Sequence, residues 1–301
     1  MKILFPQAFT LTSSNISNSS YSDWNASTAY AIGAQVYLPD NYGEYKCLVA
    51  NTGVDPRTSI YDDTKNPNGK WLFLGTTNKY KMFDKYLTSQ SVRNGNITVE
   101  MLAYESQAIY LGNLDAQSVT IQVIDNNTHQ VIETFTKNLI RDVSDAFDYG
   151  YGDWIENRKT QFVYERTTAT RDISLIIEIN NGSSDAKCGI FCCGKVKEVG
   201  ITKWGVSVGA LDYSTVATDT STGDTSLVEG NYAPTLDLDL FTKTKNAMAL
   251  NKILNDARGK GVVFMAGYSD DLLVYGYKQK HSTLMSGPVE TIITVNVIGL
   301  T

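Results

Sequence analysis

The sequence predicts a mainly β protein, and three observations lead to this prediction. The 301 residues include 18 Tyr and 23 Gly together with many Ser, Thr and Asn, a composition that favours strands and turns. Short runs of alternating apolar and polar residues recur along the chain, with polar turns between them. One helical pattern stands out near residues 244–258. We therefore expect a small aromatic-rich β module, an antiparallel β-sandwich of the jelly-roll kind, and a C-terminal β-rich domain with one packed helix.

The first eighty residues divide into two regions. Residues 1–20 start with the apolar Ile3, Leu4 and Phe5 and continue as a polar stretch rich in Ser and Asn. This pattern is typical of an N-terminal arm, either frayed or docked on a neighbouring subunit. Residues 21–80 carry turn signals every few positions, so we expect a small β module whose buried area comes mostly from aromatic side chains.

Residues 81–200 are predicted to form the sandwich. In Ser118–Asp125 the apolar Val119, Ile121 and Val123 alternate with other residues, and Asn126 opens the turn to a return strand over 129–135. Further strands are expected at residues 161–165, 173–179 and 189–196.

Residues 201–301 are predicted to form a β-rich domain with one helix. Strands are expected at residues 225–229, 236–241, 262–265, 272–277 and 291–298. The helix near 244–258 has an apolar stripe, formed by Ala247, Leu250, Leu254 and Ala257. Thr242 or Thr244 is the expected N-cap, Arg258 suits the negative end of the helix dipole, and Gly259 ends the helix.

The charge and hydropathy of the chain exclude two classes of partner. The net charge is −6 and no run of basic residues is present, so binding to nucleic acid or to an anionic membrane surface is not expected. No apolar stretch approaches the ~20 residues of a membrane helix. The N-terminal apolar run is short and interrupted by Pro6, so we expect a soluble protein without an export signal of its own.

Histidine and cysteine offer little material for a metal or redox site. His129 and His281 lie far apart in sequence, and no C-x-x-C pair is present. Adjacent Cys192 and Cys193 would point to opposite faces of a strand, which discourages a disulfide between them. We therefore expect buried free thiols, no metal, no cofactor, and folding in a reducing cytoplasm.

The segment containing Ser207 matches a hydrolase motif. Gly205, Ser207 and Gly209 form G-x-S-x-G, and Asp270 or Asp271 followed by His281 completes the chain order of an α/β-hydrolase triad. The motif requires a helix directly after the serine, whereas the residues that follow here are rich in Thr, Ser, Gly and Asp. A strand flanked by glycines is therefore the expected structure.

Paired acids can act as the catalytic residues of a glycosidase or bind a cation. Asp62 with Asp63 and Asp270 with Asp271 are predicted to be turn residues. Asp237 and Asp239 alternate with leucines, so they are expected on the solvated face of a strand. The spacing of Asp219 and Asp224 fits no known calcium loop. P-loop, dinucleotide and EF-hand motifs are lacking as well, and we expect that the protein is not an enzyme.

Residues 24–71 resemble the small chitin-binding type of carbohydrate-binding module. That family has the pattern W-x5-Y-x2-G-x2-V, then G-x-x-Y, then a closing Trp. Residues 24–36 match the first part from Trp24 and Tyr30 onward, residues 43–47 (GEYKC) with Tyr45 correspond to the second, and Trp71 closes the module. The resemblance makes four residues candidate glycan-binding residues: Trp24, Tyr30, Tyr45 and Trp71. Residues 48–52 lack the aromatic residues that such modules stack on sugar. The alternative is therefore that Trp24, Tyr30 and Trp71 are core residues of a module that has lost its sugar platform.

A second resemblance spans most of the chain. Residues 75–84 (GTTNKYKMFD) are similar to the GPTNRWAMFD segment of virion proteins from tailed bacteriophages, which directly follows a module of this kind. Residues 199–214 are similar to a second segment of those proteins, which ends in DYS, and residues 297–301 are similar to their IEGLT ending. The G-x-S-x-G of Ser207 lies within the second segment, which makes it part of the family framework.

This resemblance implies a structural component of the virion, in the tail, tail tip, baseplate or connector region, made in the host bacterial cytoplasm. The expected partners are other tail and virion proteins and copies of the chain itself in a ring. Sheet edges, the N-terminal arm and the aromatic module would supply the buried surface. The alternative is a receptor-binding protein that holds a host-surface glycan, and the two functions are compatible.

Overall fold

The computed structural model confirms the mainly β, antiparallel class that the sequence predicts. It describes residues 1–140, 146–151, 158–218, 221–267, 272–285 and 287–300. Asp219, Asp270 and Asp271, weighed above as candidate acids, lie outside the described residues. Within the described part of the chain, no helix is long and apolar enough to span a membrane.

The strands and helices follow in four groups. The N-terminal strands are Lys2–Pro6 (β1) and Thr10–Ser14 (β2). The module contains Ala29–Tyr30 (β3), Gln35–Leu38 (β4), Gly43–Cys47 (β5), Asn51–Thr52 (β6) and Trp71–Thr76 (β7), with 3-10 turns at Pro56–Thr58 and Lys81–Phe83. The middle of the chain forms Ser91–Leu102 (β8), Ala108–Asp115 (β9), Ser118–Asp125 (β10), Gln130–Asn138 (β11), Ala146–Tyr151 (α1), Phe162–Glu165 (β12) and Ile173–Glu198 (β13).

The C-terminal third adds eight strands and a longer helix among the described residues. The strands are Ile201–Thr202 (β14), Ser207–Asp212 (β15), Thr215–Thr218 (β16), Thr225–Val228 (β17), Tyr232–Lys243 (β18), Val262–Met265 (β19), Leu273–Leu284 (β20) and Glu290–Gly299 (β21). A 3-10 turn at Thr244–Asn246 runs into the helix Ala247–Asp256 (α2).

One long strand, β13, builds the sandwich. Segments 173–179 and 189–196, predicted as two strands, belong to this single 26-residue strand. Its pairing with β8 shifts register between Asn180 and Asp185, where Gly182 adopts a φ of 64°. Before the bulge β13 also pairs with β10, and after it with β9. The bend folds the sheet over one apolar core, because a bulge turns a strand locally.

The N-terminal residues are not the free arm that the sequence predicts. Strand β1 lies inside the sheet, paired with β13 on one side and with β19 on the other. Ile3 and Leu4 are fully buried, on opposite faces of this strand. In the sequence, these adjacent apolar residues predicted an N-terminal arm. Consecutive apolar residues are also typical of a strand that is buried on both faces. Strand β1 thereby joins the middle of the chain to the C-terminal third.

Helix α2 packs its apolar stripe against the C-terminal sheet, with Leu254 and Ala257 fully buried beside Ile3. Gly259 follows the helix with a φ of 67°, as predicted for its end. The predicted caps are wrong. Thr242 is buried inside β18, and the Thr244 hydroxyl donates to the carbonyl of Gly287 at 3.0 Å. Neither hydroxyl therefore caps the first turn of helix α2.

Candidate functional site

The residues proposed for glycan binding form the interior of the module. Tyr45 and Trp71 are almost completely buried, and Tyr30 is 8% exposed. Trp71 donates its Nε1–H to the carbonyl of Val54 at 3.0 Å, and the Tyr30 ring packs edge-on against Trp71. Trp24 is half-buried and packs on the same core. These rings therefore have their faces occupied by protein, which is the arrangement of core residues.

Other aromatic side chains lie on the surface of the module. Tyr42 stacks on Tyr80 with ring centroids 3.6 Å apart, and Tyr42 and Phe73 remain 41% and 43% exposed. Burial and the neighbouring Tyr42 raise the pKa of Tyr80 to about 12. Sequence comparison with the sugar-binding pattern missed these residues because they lie outside its fixed positions.

Of the hydrolase candidates, Ser207 and His281 do not lie together. Ser207 lies on exposed strand β15, as predicted, opposite Asp237 of β18. The pairing continues through Asn296 to Lys280, so β15 and β20 are three strand spacings apart, roughly 14 Å. His281 lies opposite Val295, which faces the core, whereas Asp237 faces outward. Ser207 and His281 are therefore on opposite faces of the sheet.

The described acid pairs make local structural contacts. Asp62 accepts hydrogen bonds from the backbone N–H groups of Thr64 and Lys65, and these bonds lower its pKa. Asp237 accepts from Asn296 and Asp239 from Thr294, both on the outer face of the sheet. The predictions of turn residues for Asp62 and of an outer strand face for Asp237 and Asp239 are confirmed.

The four cysteines are buried free thiols, as predicted. Cys193 packs in the sandwich core and Cys192 on the opposite face of β13, against Leu4 and Tyr275. Burial raises the pKa of Cys193 to about 12, which suppresses the nucleophilic thiolate. Within the described part of the chain, no group of His, Cys, Asp and Glu is placed to hold a metal ion.

A hairpin that continues from strand β15 carries several exposed apolar side chains. Strand β15 pairs with the first half of β18, and the ladder extends through a hydrogen bond from the Tyr213 N–H to the Asn231 carbonyl. Strands β16 and β17 then pair with each other as a separate two-stranded sheet. We call residues 207–218 and 221–231 the β-arm.

The β-arm exposes apolar side chains on both of its faces. Val216 and Leu227 lie directly opposite each other and are 64% and 71% exposed. Val228, one residue further along, is on the other face and 62% exposed. Side chains of successive strand residues point to opposite faces, so neither face of the hairpin is covered by the chain's own core. An isolated two-stranded hairpin is marginally stable in water, and this one gains stability once another surface covers it.

The β-arm also lies in a strongly acidic segment. Residues 204–242 contain no Lys or Arg, whereas six acids fall in this stretch: Asp212, Asp219, Asp224, Glu229, Asp237 and Asp239. Asp224 and Glu229 are exposed on the arm and form no salt bridge within the described residues. The predicted strand at 225–229 is confirmed, but its partner β16 was not foreseen because its Thr-rich sequence suits a loop equally well.

In comparisons with known proteins, the chain matches no protein-family model and no curated protein. Its function is therefore inferred from its own residues, above all those of the β-arm.

Proposed function

We propose that the chain is a structural subunit of a tailed-bacteriophage virion, in the tail, tail tip, baseplate or connector region. It acts by assembly with other virion proteins and with copies of itself in a ring. The segments around residues 75–84, 199–214 and 297–301 support the phage assignment through their resemblance to virion proteins. The segment 199–214 includes all of β15, so the resemblance reaches into the β-arm.

The observation that carries this proposal is the exposed β-arm. Val216, Leu227 and Val228 are each more than 60% exposed on a hairpin outside the sheet of its own chain. Apolar residues on both faces of a projecting hairpin are the property of a segment that becomes buried between subunits. The N-terminal strand, by contrast, is used within its own fold. We therefore propose that the β-arm, and not the N-terminal strand, makes the contacts between subunits.

A pair of variants tests this function. Val216→Ser with Leu227→Ser removes apolar contact area from the β-arm without touching the core, so the chain should fold normally and be lost from particles. Val131→Ser is the matched control, because Val131 is also an exposed strand residue (52%) but lies on β11. Particles purified from the phage that encodes the chain are analysed by mass spectrometry. Wild-type chain missing from those particles, or full incorporation of the arm variant, would contradict the proposal.

Glycan binding is the second candidate function, and the exposed rings of Tyr42 and Phe73 favour it. Exposed aromatic faces provide the surface on which sugar rings stack. The probe is a chito-oligosaccharide titrated by calorimetry into the full chain. Tyr42→Ala should weaken binding about tenfold, in the range of one lost aromatic contact. Tyr86→Ala, a ring 61% exposed outside the module, is the control. No heat of binding for the wild type would exclude this candidate for that sugar.

A further inference from the structure

We propose that the β-arm of one copy docks on a basic, apolar patch around helix α2 of a second copy of the chain. This inference rests on the proposed assembly function and names the partner surface. The basic patch consists of three apolar side chains and the two lysines around them: Met248, Met285, Val289, Lys245 and Lys252.

The apolar part of the basic patch gathers at the start of α2. The Thr244 N–H donates to the Val289 carbonyl at 2.9 Å, which brings the turn after β20 against the helical segment. The Thr283 hydroxyl donates to Asn251 at 2.6 Å and holds the end of β20 against the next turn of the helix. Met248, Met285 and Val289 are 68%, 51% and 66% exposed around these contacts. They form an uncovered apolar surface to match the exposed Val216 and Leu227.

The charges of the two surfaces are opposite. Lys245 and Lys252 are exposed beside Met248, and they form no salt bridge within the described residues. Arg258 and Lys278 lie near each other at the far end of the helix. Of the acids near the patch, Asp256 pairs with Lys197 at 3.5 Å, and Glu290 lies directly opposite Lys243 at the end of the β18–β21 ladder. The β-arm carries Asp224 and Glu229 and no cation, so docking would pair each excess of charge with its opposite.

Geometry makes the partner a second molecule. The β-arm leaves the sheet beside Tyr232, at one end of β18, and the basic patch begins at Lys245, just past the other end. A 12-residue strand spans roughly 35–40 Å, and the arm continues away from the patch. The arm therefore cannot reach its own patch. An interface between two different surfaces is head-to-tail, and it closes into a ring when the rotation between copies permits.

Two charge-reversed variants of the full chain test this docking. The arm-reversed variant carries Asp224→Lys with Glu229→Lys, and the patch-reversed variant carries Lys245→Glu with Lys252→Glu. Each alone should associate at least about tenfold more weakly than the wild type in mass photometry, because like charges then face each other. An equimolar mixture should recover association, since arms and patches of the two variants are again complementary in both directions. A module variant, Lys46→Glu with Lys65→Glu, should associate like the wild type.

The outcomes separate this inference from the proposed function. Wild-type self-association that persists unchanged in both reversed variants would overturn the arm-to-patch docking and leave assembly intact. A chain that is found in particles but stays monomeric when concentrated would also overturn docking between copies. Absence of the chain from particles would remove the proposed function itself. Association of the wild type should weaken between about 50 mM and 500 mM NaCl, and a salt-independent association would contradict the charge pairing.

Discussion

At the scale of single residues, Glu133 shows how an acid can be structural in this protein. Its carboxylate accepts hydrogen bonds from the Tyr164 hydroxyl at 2.5 Å and from the backbone and side chain of Thr167 and the backbone of Thr168. Partial burial acts to raise the pKa of Glu133, but these donors outweigh it and lower the pKa to about 2. Burial, and after it the same hydrogen bond, raise the pKa of Tyr164 to about 12. The ionised carboxylate thus ties strand β11 to the chain after β12.

This contact makes stability depend on pH. The folded-state pKa of Glu133 lies below its ordinary value of 4.5, so the contribution is present above that pH and is lost as the pH falls towards about 2. Glu133→Gln should lower the free energy of unfolding by about 1 kcal/mol at neutral pH, since this half-buried site is partly screened by water. Urea unfolding at several pH values measures the difference. A wild-type advantage that stays constant down to pH 2 would contradict this role.

At the scale of single residues, the sequence predicts burial within a strand but not contacts between distant positions. The burial of Val119, Ile121 and Val123 follows from alternation within one strand, and the structure confirms it. The Glu133 contacts could not be predicted, because the donors lie more than 30 positions away along the chain. Tyr30, Tyr45 and Trp71 have the residue types of a sugar platform, and sequence alone leaves open whether such rings face solvent or core.

At the scale of elements, the insertion of β1 depends on close approach of two backbones. A Cβ added at Gly194 of β13 would lie 2.0 Å from the Phe5 carbonyl oxygen of β1. Such a contact cannot be accommodated by a side-chain rotation, because the opposing atom belongs to the backbone. The glycine therefore lets β1 pair with β13 where Pro6 lies opposite Gly194.

Gly194→Ala should force β1 away from β13 and lower the free energy of unfolding by about 2–3 kcal/mol, the upper range for overpacking. Gly287→Ala is the control, since an added Cβ there meets nothing within 4 Å. Chemical denaturation of both variants measures the effect. Equal stability of the two variants would show that β1 is not held by this approach.

Elements with local signals were predicted well, and those set by long-range pairing were not. The bounds of β10 agree with the prediction because its alternation and its Asn turn are both local. Strand β13 was divided in two because its middle residues, from Asn180 to Asp185, have the composition of a turn. Strand β1 was taken for an arm because its two partners, β13 and β19, lie almost 200 and 260 residues away.

At the scale of the whole molecule, the two halves of the sheet share one hydrogen-bonded path through β13, β1 and β19. The β-arm projects from one end of β18, and the basic patch lies at the other. We propose that each copy gives one contact through the β-arm and receives another at the basic patch, which is head-to-tail assembly. The proposed assembly function came from the resemblance of three sequence segments, whereas the β-arm and the basic patch could be recognised only from strand register and exposure.

The most direct test of this account is a cryo-electron microscopy map of the assembled particle, read at the β-arm. We predict that Val216, Leu227 and Val228 are buried against a neighbouring subunit. The same map would show whether helix α2 of a second copy supplies that surface. A map in which the chain is present and these three side chains face solvent would contradict the central claim that the β-arm is the assembly element.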